Sequence, residues 1–158
     1  MRNPSPVGFY AAAFLATAIT ISPADAMFIV NQPWVRPAQV ARSTEAYMDL
    51  TSTDGAALVG VTTAVARTAS IRAPGKSTVA ARSVALPAQT PVALAPGRYR
   101  VALNSLQRTL QLGDRVLMTL TLELADGSRQ DIPVDAEVRL HSPIDDEHRA
   151  HSHWHTPH

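Results

Sequence analysis

Arg115-Val116-Leu117-Met118-Thr119-Leu120-Thr121-Leu122-Glu123-Leu124 is the stretch whose pattern decides the fold. Val116, Met118, Leu120, Leu122 and Leu124 fall on one side of an extended chain, and Thr119, Thr121 and Glu123 fall on the other. Side chains of a strand alternate between two faces, so this period of two predicts a half-buried antiparallel strand and excludes an amphipathic helix. The run leads into Ala125-Asp126-Gly127-Ser128, a hairpin signal, and then into Gln130 to Val134 with Ile132 and Val134 on one side. Pro133 lacks an amide proton, which places this second strand at an edge.

Working upstream, the same pattern predicts short strands over Glu45 to Leu50, Leu58 to Ala66, Ser77 to Leu86, Pro91 to Leu94 and Tyr99 to Leu103. Turn signals separate them at Asp54-Gly55, Pro74-Gly75, Pro87 and Pro96-Gly97. Such spacing marks an all-β sandwich or barrel. No amphipathic helix of useful length is expected; Leu103 to Leu112 offers at most one helical turn before Gly113-Asp114. Met48 and Met118 lie on apolar strand faces and are expected in the core.

Both ends of the chain differ from this middle. Arg2, an apolar run from Val7 to Ile21 and Ala24-Asp25-Ala26 have the form of an export signal cut after Ala26. The run is shorter than the ~20 residues a membrane-spanning helix needs, so no stable membrane anchor is expected. The expected organisation is a signal peptide over 1–26, a sandwich over 27–140 and a flexible tail over 141–158, with the mature protein in the periplasm.

Composition sharpens the chemistry. The 158 residues carry a formal net charge of +1, no cysteine and six histidines, all between His141 and His158. Fourteen basic residues against 13 acidic ones give no electropositive excess for nucleic acid, so no nucleic-acid partner is expected. Without cysteine there are no disulfides, thiolate metal sites or thiol nucleophiles. No Gly-x-Ser-x-Gly, phosphate loop or dinucleotide fingerprint is present, and residues 27–140 hold no histidine to act as a general base. Asp49, Asp54, Asp114 and Asp135 fall in turns or on solvent faces, and an enzyme is not expected.

An ordered set of segments is similar to the periplasmic copper chaperone family PCu(A)C: Gln32-Pro33-Trp34-Val35-Arg36, Ala46-Tyr47-Met48-Asp49-Leu50, Leu86-Pro87-Ala88, Leu94-Ala95-Pro96-Gly97, Leu103-Asn104-Ser105-Leu106 and Leu112-Gly113-Asp114-Arg115-Val116 with Leu120-Thr121-Leu122. The resemblance implies an exported, antiparallel Greek-key β-sandwich of cupredoxin-like topology. It also implies a Cu(I) carrier whose ligands are a His and a Met upstream of a His-x-Met pair in Pro-Gly-Gly-x-His-x-Met-Leu. Pro96-Gly97-Arg98-Tyr99-Arg100-Val101-Ala102-Leu103 keeps the frame, with Arg100 at the His position and Ala102 at the Met position. Thr78 stands at the upstream Met position, and the upstream His position falls at about Arg72. All four ligand positions are replaced.

Cu(I) is soft and selects thioether and imidazole, whereas a guanidinium carries a permanent charge and no lone pair. Arg72 and Arg100 converging on one pocket would repel a cation and accept an anion or a carboxylate partner; the plainer expectation is that both project into water. The remaining metal chemistry lies in the tail. His151, His153 and His155 alternate, which in an extended segment sets three imidazoles on one side, and His148, His158 and His141 can add to them. Asp145, Asp146 and Glu147 supply oxygen donors. Imidazole suits Cu(II) first by the usual affinity order, with zinc or nickel as alternatives.

Two functions of different class follow from the sequence. One is an exported, copper-chaperone-like protein that binds Cu(II) through its tail and hands it to a periplasmic or membrane-bound copper acceptor or oxidase assembly factor. The other is a metal-free interaction module using its edge strands or the Arg72/Arg100 face.

Overall fold

The strand that decides the sequence reading is one of the two longest among the described residues. In the computed structural model, which describes residues 26–75 and 78–145, it runs over Arg115–Leu124 as β8. It pairs in antiparallel register with β9, Arg129–Val138, from Arg115↔Glu137 to Glu123↔Arg129. The turn between them is built by its own residues. Gly127 takes φ +82°, a backbone conformation open to glycine. The Asp126 carboxylate accepts hydrogen bonds from the Ser128 amide at 2.9 Å and the Ser128 hydroxyl at 2.5 Å.

Seven further strands complete the described fold: β1 Phe28–Val35, β2 Thr44–Ser52, β3 Ala56–Thr63, β4 Ala66–Arg72, β5 Val84–Leu86, β6 Val92–Leu94 and β7 Arg100–Leu106. They follow the order β4-β7-β2-β1-β9-β8-β3-β5, with β6 on β2. All pairings are antiparallel except β1 with β9, which meet over Trp34↔Glu137 and Val35↔Val138 alone. That short seam joins two halves, β4-β7-β2-β1 and β9-β8-β3-β5, into a sandwich, and the tight β3–β4 connection links them a second time. The all-β sandwich expected from the sequence is the fold observed. Contrary to the expectation from Pro133, β9 is not an edge strand but lies between β8 and β1; the proline is tolerated because β1 meets β9 only at Glu137 and Val138, beyond it.

The core fills the space between the sheets. Val35 of β1, Leu58 of β3, Val101 and Leu103 of β7, and Val116 and Leu120 of β8 are fully buried. Each such side chain contributes about 1.5 to 3 kcal/mol of burial. Met48 and Met118 are both 2% exposed within this cluster, as their apolar faces predict.

Several expected boundaries move. Leu58 to Ala66 is not one strand but the end of β3, a turn at Ala64-Val65 and the start of β4. No Gly or Pro marks that turn; the Thr63 hydroxyl makes it by accepting the Val65 amide at 3.4 Å and donating to the Leu117 carbonyl at 2.7 Å. Of Ser77 to Leu86 only β5 is strand; Ala80 forms an isolated bridge to Arg72, and Ser77 lies outside the described residues. Leu103 to Leu112 forms no helical turn. β7 continues to Leu106 through Ser105 at φ +53°, and Leu110 then bridges to Ala38. A short helical turn appears instead at 143–145, where the Asp145 amide donates to the Ser142 carbonyl at 3.1 Å. The signal segment and most of the tail lie outside the described residues.

Candidate functional site

The outward face of the β4-β7-β2-β1 sheet is set by the residues that alternate with core positions. In β7, Val101 and Leu103 enter the core, which turns Arg100, Ala102 and Asn104 outward. In β2, Ala46, Met48 and Leu50 enter the core, which turns Glu45, Tyr47 and Asp49 outward. In β4, Ile71 is buried and Arg72 faces out. Register then brings these together: Arg72 lies opposite Arg100, and Ala102 lies opposite Glu45.

The result is a cavity of about 440 Å3 lined by Arg36, Glu45, Arg72, Thr78, Arg100 and Ala102, with Ser43, Thr44 and Asn104 completing its wall. All four positions that the copper motif frame assigns to ligands, Arg72, Thr78, Arg100 and Ala102, line this one cavity. The motif frame thus converges on one cavity, and the residues at those four positions offer neither thioether nor imidazole.

Arg100 does not project into water, contrary to the plainer expectation. Its side chain is 11% exposed, and its Nε donates to Glu45 Oε1 at 2.6 Å. Its Nη1 donates to the carbonyls of Ala73 at 2.9 Å and Gly75 at 3.0 Å, tying down the loop after β4. A guanidinium buried to this degree must be paired, and a carboxylate 55 residues away in sequence supplies the pair. Glu45 is held in turn by the Tyr47 hydroxyl, which donates to its Oε2. Partial burial pushes the Glu45 carboxyl up, but hydrogen bonds from Tyr47 and Arg100, with the positive charges of Arg100 and Arg36, outweigh it and hold the group below the ordinary carboxylate value. Tyr47 is shifted the other way, raised first by burial and then by its bond to the Glu45 carboxylate. Its ring stacks on Trp34 at 4.6 Å between centroids, and the Arg36 guanidinium sits 5.5 Å above it.

Glu45, Tyr47 and Arg36 are the site residues that sequence reasoning missed. The signal was present: Glu45, Tyr47 and Asp49 occupy the off-core positions of β2. The pairing itself connects distant strands and leaves no local trace.

Of the six histidines, His141 alone lies among the described residues. It is exposed just after β9 and lines a shallow cavity of about 290 Å3 with Glu137 and Arg139. His148, His151, His153, His155 and His158 lie outside the described residues. Among the described residues no group of three or more His, Cys, Asp or Glu is placed to hold a metal. Two of the four carboxylates named above are held by neighbours: Asp114 accepts the Gln111 amide and pairs with Arg108 at 2.9 Å each, and Asp135 pairs with Arg115 at 3.0 Å. No helix among the described residues is long and apolar enough to cross a membrane.

Comparison with known proteins places the chain. Residues 29–138 match the family described as "Putative lipoprotein LpqE-like". Among solved structures, the apo PCuAC domain from PmoF1 superposes with a TM-score of 0.62 at 28% identity, covering 73% of this chain and 97% of that domain. The Cu(I) form of DR1885 from Deinococcus radiodurans gives 0.55 at 26% identity over 77% of this chain and 85% of its own. The copper-bound PCuAC domain from PmoF2 gives 0.59 at 24% identity, covering 71% and 92%, a likeness of fold. The cupredoxin-like β fold expected from the resemblance is thus the fold of these neighbours. A search of curated proteins finds no match.

Proposed function

This chain belongs to the LpqE-like family, and on that premise we propose that it is an exported copper-handling protein whose metal is carried by its C-terminal histidines and not by its sandwich. The carrying observation is the cavity. At the four motif positions it presents Arg72, Thr78, Arg100 and Ala102, with Arg100 paired to Glu45. This donor set contains no thioether or imidazole and does not fit Cu(I). The copper named in the neighbouring structures is therefore assigned here to His148, His151, His153, His155 and His158, with His141 at the root of the segment.

Imidazole ligands select Cu(II) over zinc and nickel by the affinity order. They must be neutral to bind, so affinity falls as pH drops below about 6.5 and metal is released. Release on acidification suits delivery to a membrane-bound or periplasmic copper acceptor such as an oxidase assembly factor. Export follows from the segment ending at Ala26. The sequence has no cysteine and so offers no thiol for a thioether-linked lipid. Nothing in this role requires catalysis.

Cu(II) titration of the full chain against a full-length variant with all six histidines replaced by Ala tests the reading. At least a tenfold loss of affinity is expected in the variant; equal affinities overturn the assignment. A second reading, a metal-free interaction module, is favoured by the arginines that line the cavity. In that case the six-histidine variant and a chelator both leave partner binding unchanged.

A further inference from the structure

We propose that the cavity bounded by Arg36, Arg72 and Arg100 is an anion-binding site that takes a small organic carboxylate. The assignment goes beyond copper handling and does not depend on the histidines.

Charge is the first ground. Three guanidiniums and one carboxylate line the cavity. Glu45, the one carboxylate, is already engaged by Arg100 and Tyr47, so the lining keeps an excess of two positive charges. No ion pair among the described residues involves Arg72 or Arg36. Arg72 stands beside Arg100 in register and is partly buried, with its fork available to an incoming acid.

Rigidity is the second. Arg100 is fixed by Glu45 and by the Ala73 and Gly75 carbonyls, and Arg36 rests over the Tyr47 ring. The wall is therefore organised before a ligand arrives, which reduces the ordering cost of binding.

Size and donor type give the ligand class. About 440 Å3 is the scale of a small-molecule pocket and far more than an inorganic ion fills. Phosphate sites draw heavily on backbone amides at helix N-termini or nests. Here the lining lies on a sheet face, where strand pairing consumes the amides and the donors are guanidinium, hydroxyl and amide side chains. A planar carboxylate meets an arginine fork through two parallel bonds. The carboxylate has two sources of the same chemistry. It is a free di- or tricarboxylate, or it is the chain's own acidic run Asp145-Asp146-Glu147, next in sequence to Ile144, which lines a second cavity with Trp34 and Tyr47.

The test is an amide and arginine-side-chain NMR titration of metal-stripped full chain with succinate, citrate and inorganic phosphate. Saturable shifts at Arg72, Ala102 and Asn104 are expected with the carboxylates, weakened roughly tenfold by Arg72→Gln and unchanged by Arg129→Gln on the opposite sheet. In a full-length variant carrying Asp145→Asn, Asp146→Asn and Glu147→Gln, tighter succinate binding identifies the chain's own acids as the native occupant. Unchanged binding identifies a free carboxylate. Absence of saturable shifts in both proteins, insensitivity to Arg72→Gln, or phosphate binding more tightly than citrate overturns the proposal.

Discussion

Strands β8 and β7 carry the same alternation and use it for different ends. In β8 one side packs Val116, Met118, Leu120 and Leu122 into the core, and the other gives Leu117, Thr119 and Thr121 to the surface, with Leu117 67% exposed. In β7 Val101 and Leu103 enter the core, yet the opposite side is not a solvent face. Arg100 is paired with Glu45, and Ala102 is only 7% exposed in a cavity wall. Period two therefore reports where the core is in both strands. Only the identity of the off-core residues reports where the chemistry is.

The contrast can be broken or sharpened by substitution. Leu120→Ala should have the largest effect, costing about 2 to 5 kcal/mol of stability in thermal or denaturant unfolding, because it empties a fully buried position between the sheets. Next comes Glu45→Gln, which leaves the Arg100 head group without its counter-charge. It should cost about 1 to 2 kcal/mol, with solvent screening at the third-exposed carboxylate keeping it below the value of a fully buried pair. The smallest effect is expected on the outer side of β8. Thr121→Ala removes an exposed hydrogen bond to Asp131 and should change stability by no more than about 0.5 kcal/mol. If Thr121→Ala cost as much as Glu45→Gln, the two outer faces would be equivalent and the distinction would fail.

The pair also has a pH signature. Glu45 is held below its ordinary carboxylate value in the folded state. Its contribution is then fully present above the unfolded value, about 4.3, and is lost as pH falls through the lower folded one. The stability difference between the parent and Glu45→Gln should be constant above about pH 5 and should close in more acid solution. A gap that widened on acidification would reverse the sign of the argument.

Much of this was legible in the sequence, and the failures have identifiable causes. β8 and its hairpin were readable because alternation is strict and Asp126-Gly127 carries its own turn chemistry. β1 was not singled out because Gln32 at φ +48° and a register shift between Asn31 and Trp34 interrupt its alternation. The boundary between β3 and β4 leaves no local signal, because the turn there contains no glycine or proline and depends on a threonine hydroxyl. The spacing around Pro96-Gly97 that resembles the copper motif leads to the cavity, because Arg100 and Ala102, which it indicates, both line it. Arg100 reads as solvent-facing in the sequence because its partner Glu45 sits on another strand, and long-range pairing is invisible to a local pattern.

On the proposed function, copper is bound by the C-terminal histidines and not by the sandwich. Cu(II) broadens the NMR signals of nuclei close to it, so a sub-stoichiometric addition to the isotope-labelled full chain reads the position of the metal directly. The account predicts broadening at His148, His151, His153, His155 and His158, with Arg72, Arg100 and Ala102 left sharp. Broadening centred on Arg100 and Ala102, with the histidines unaffected, would contradict it.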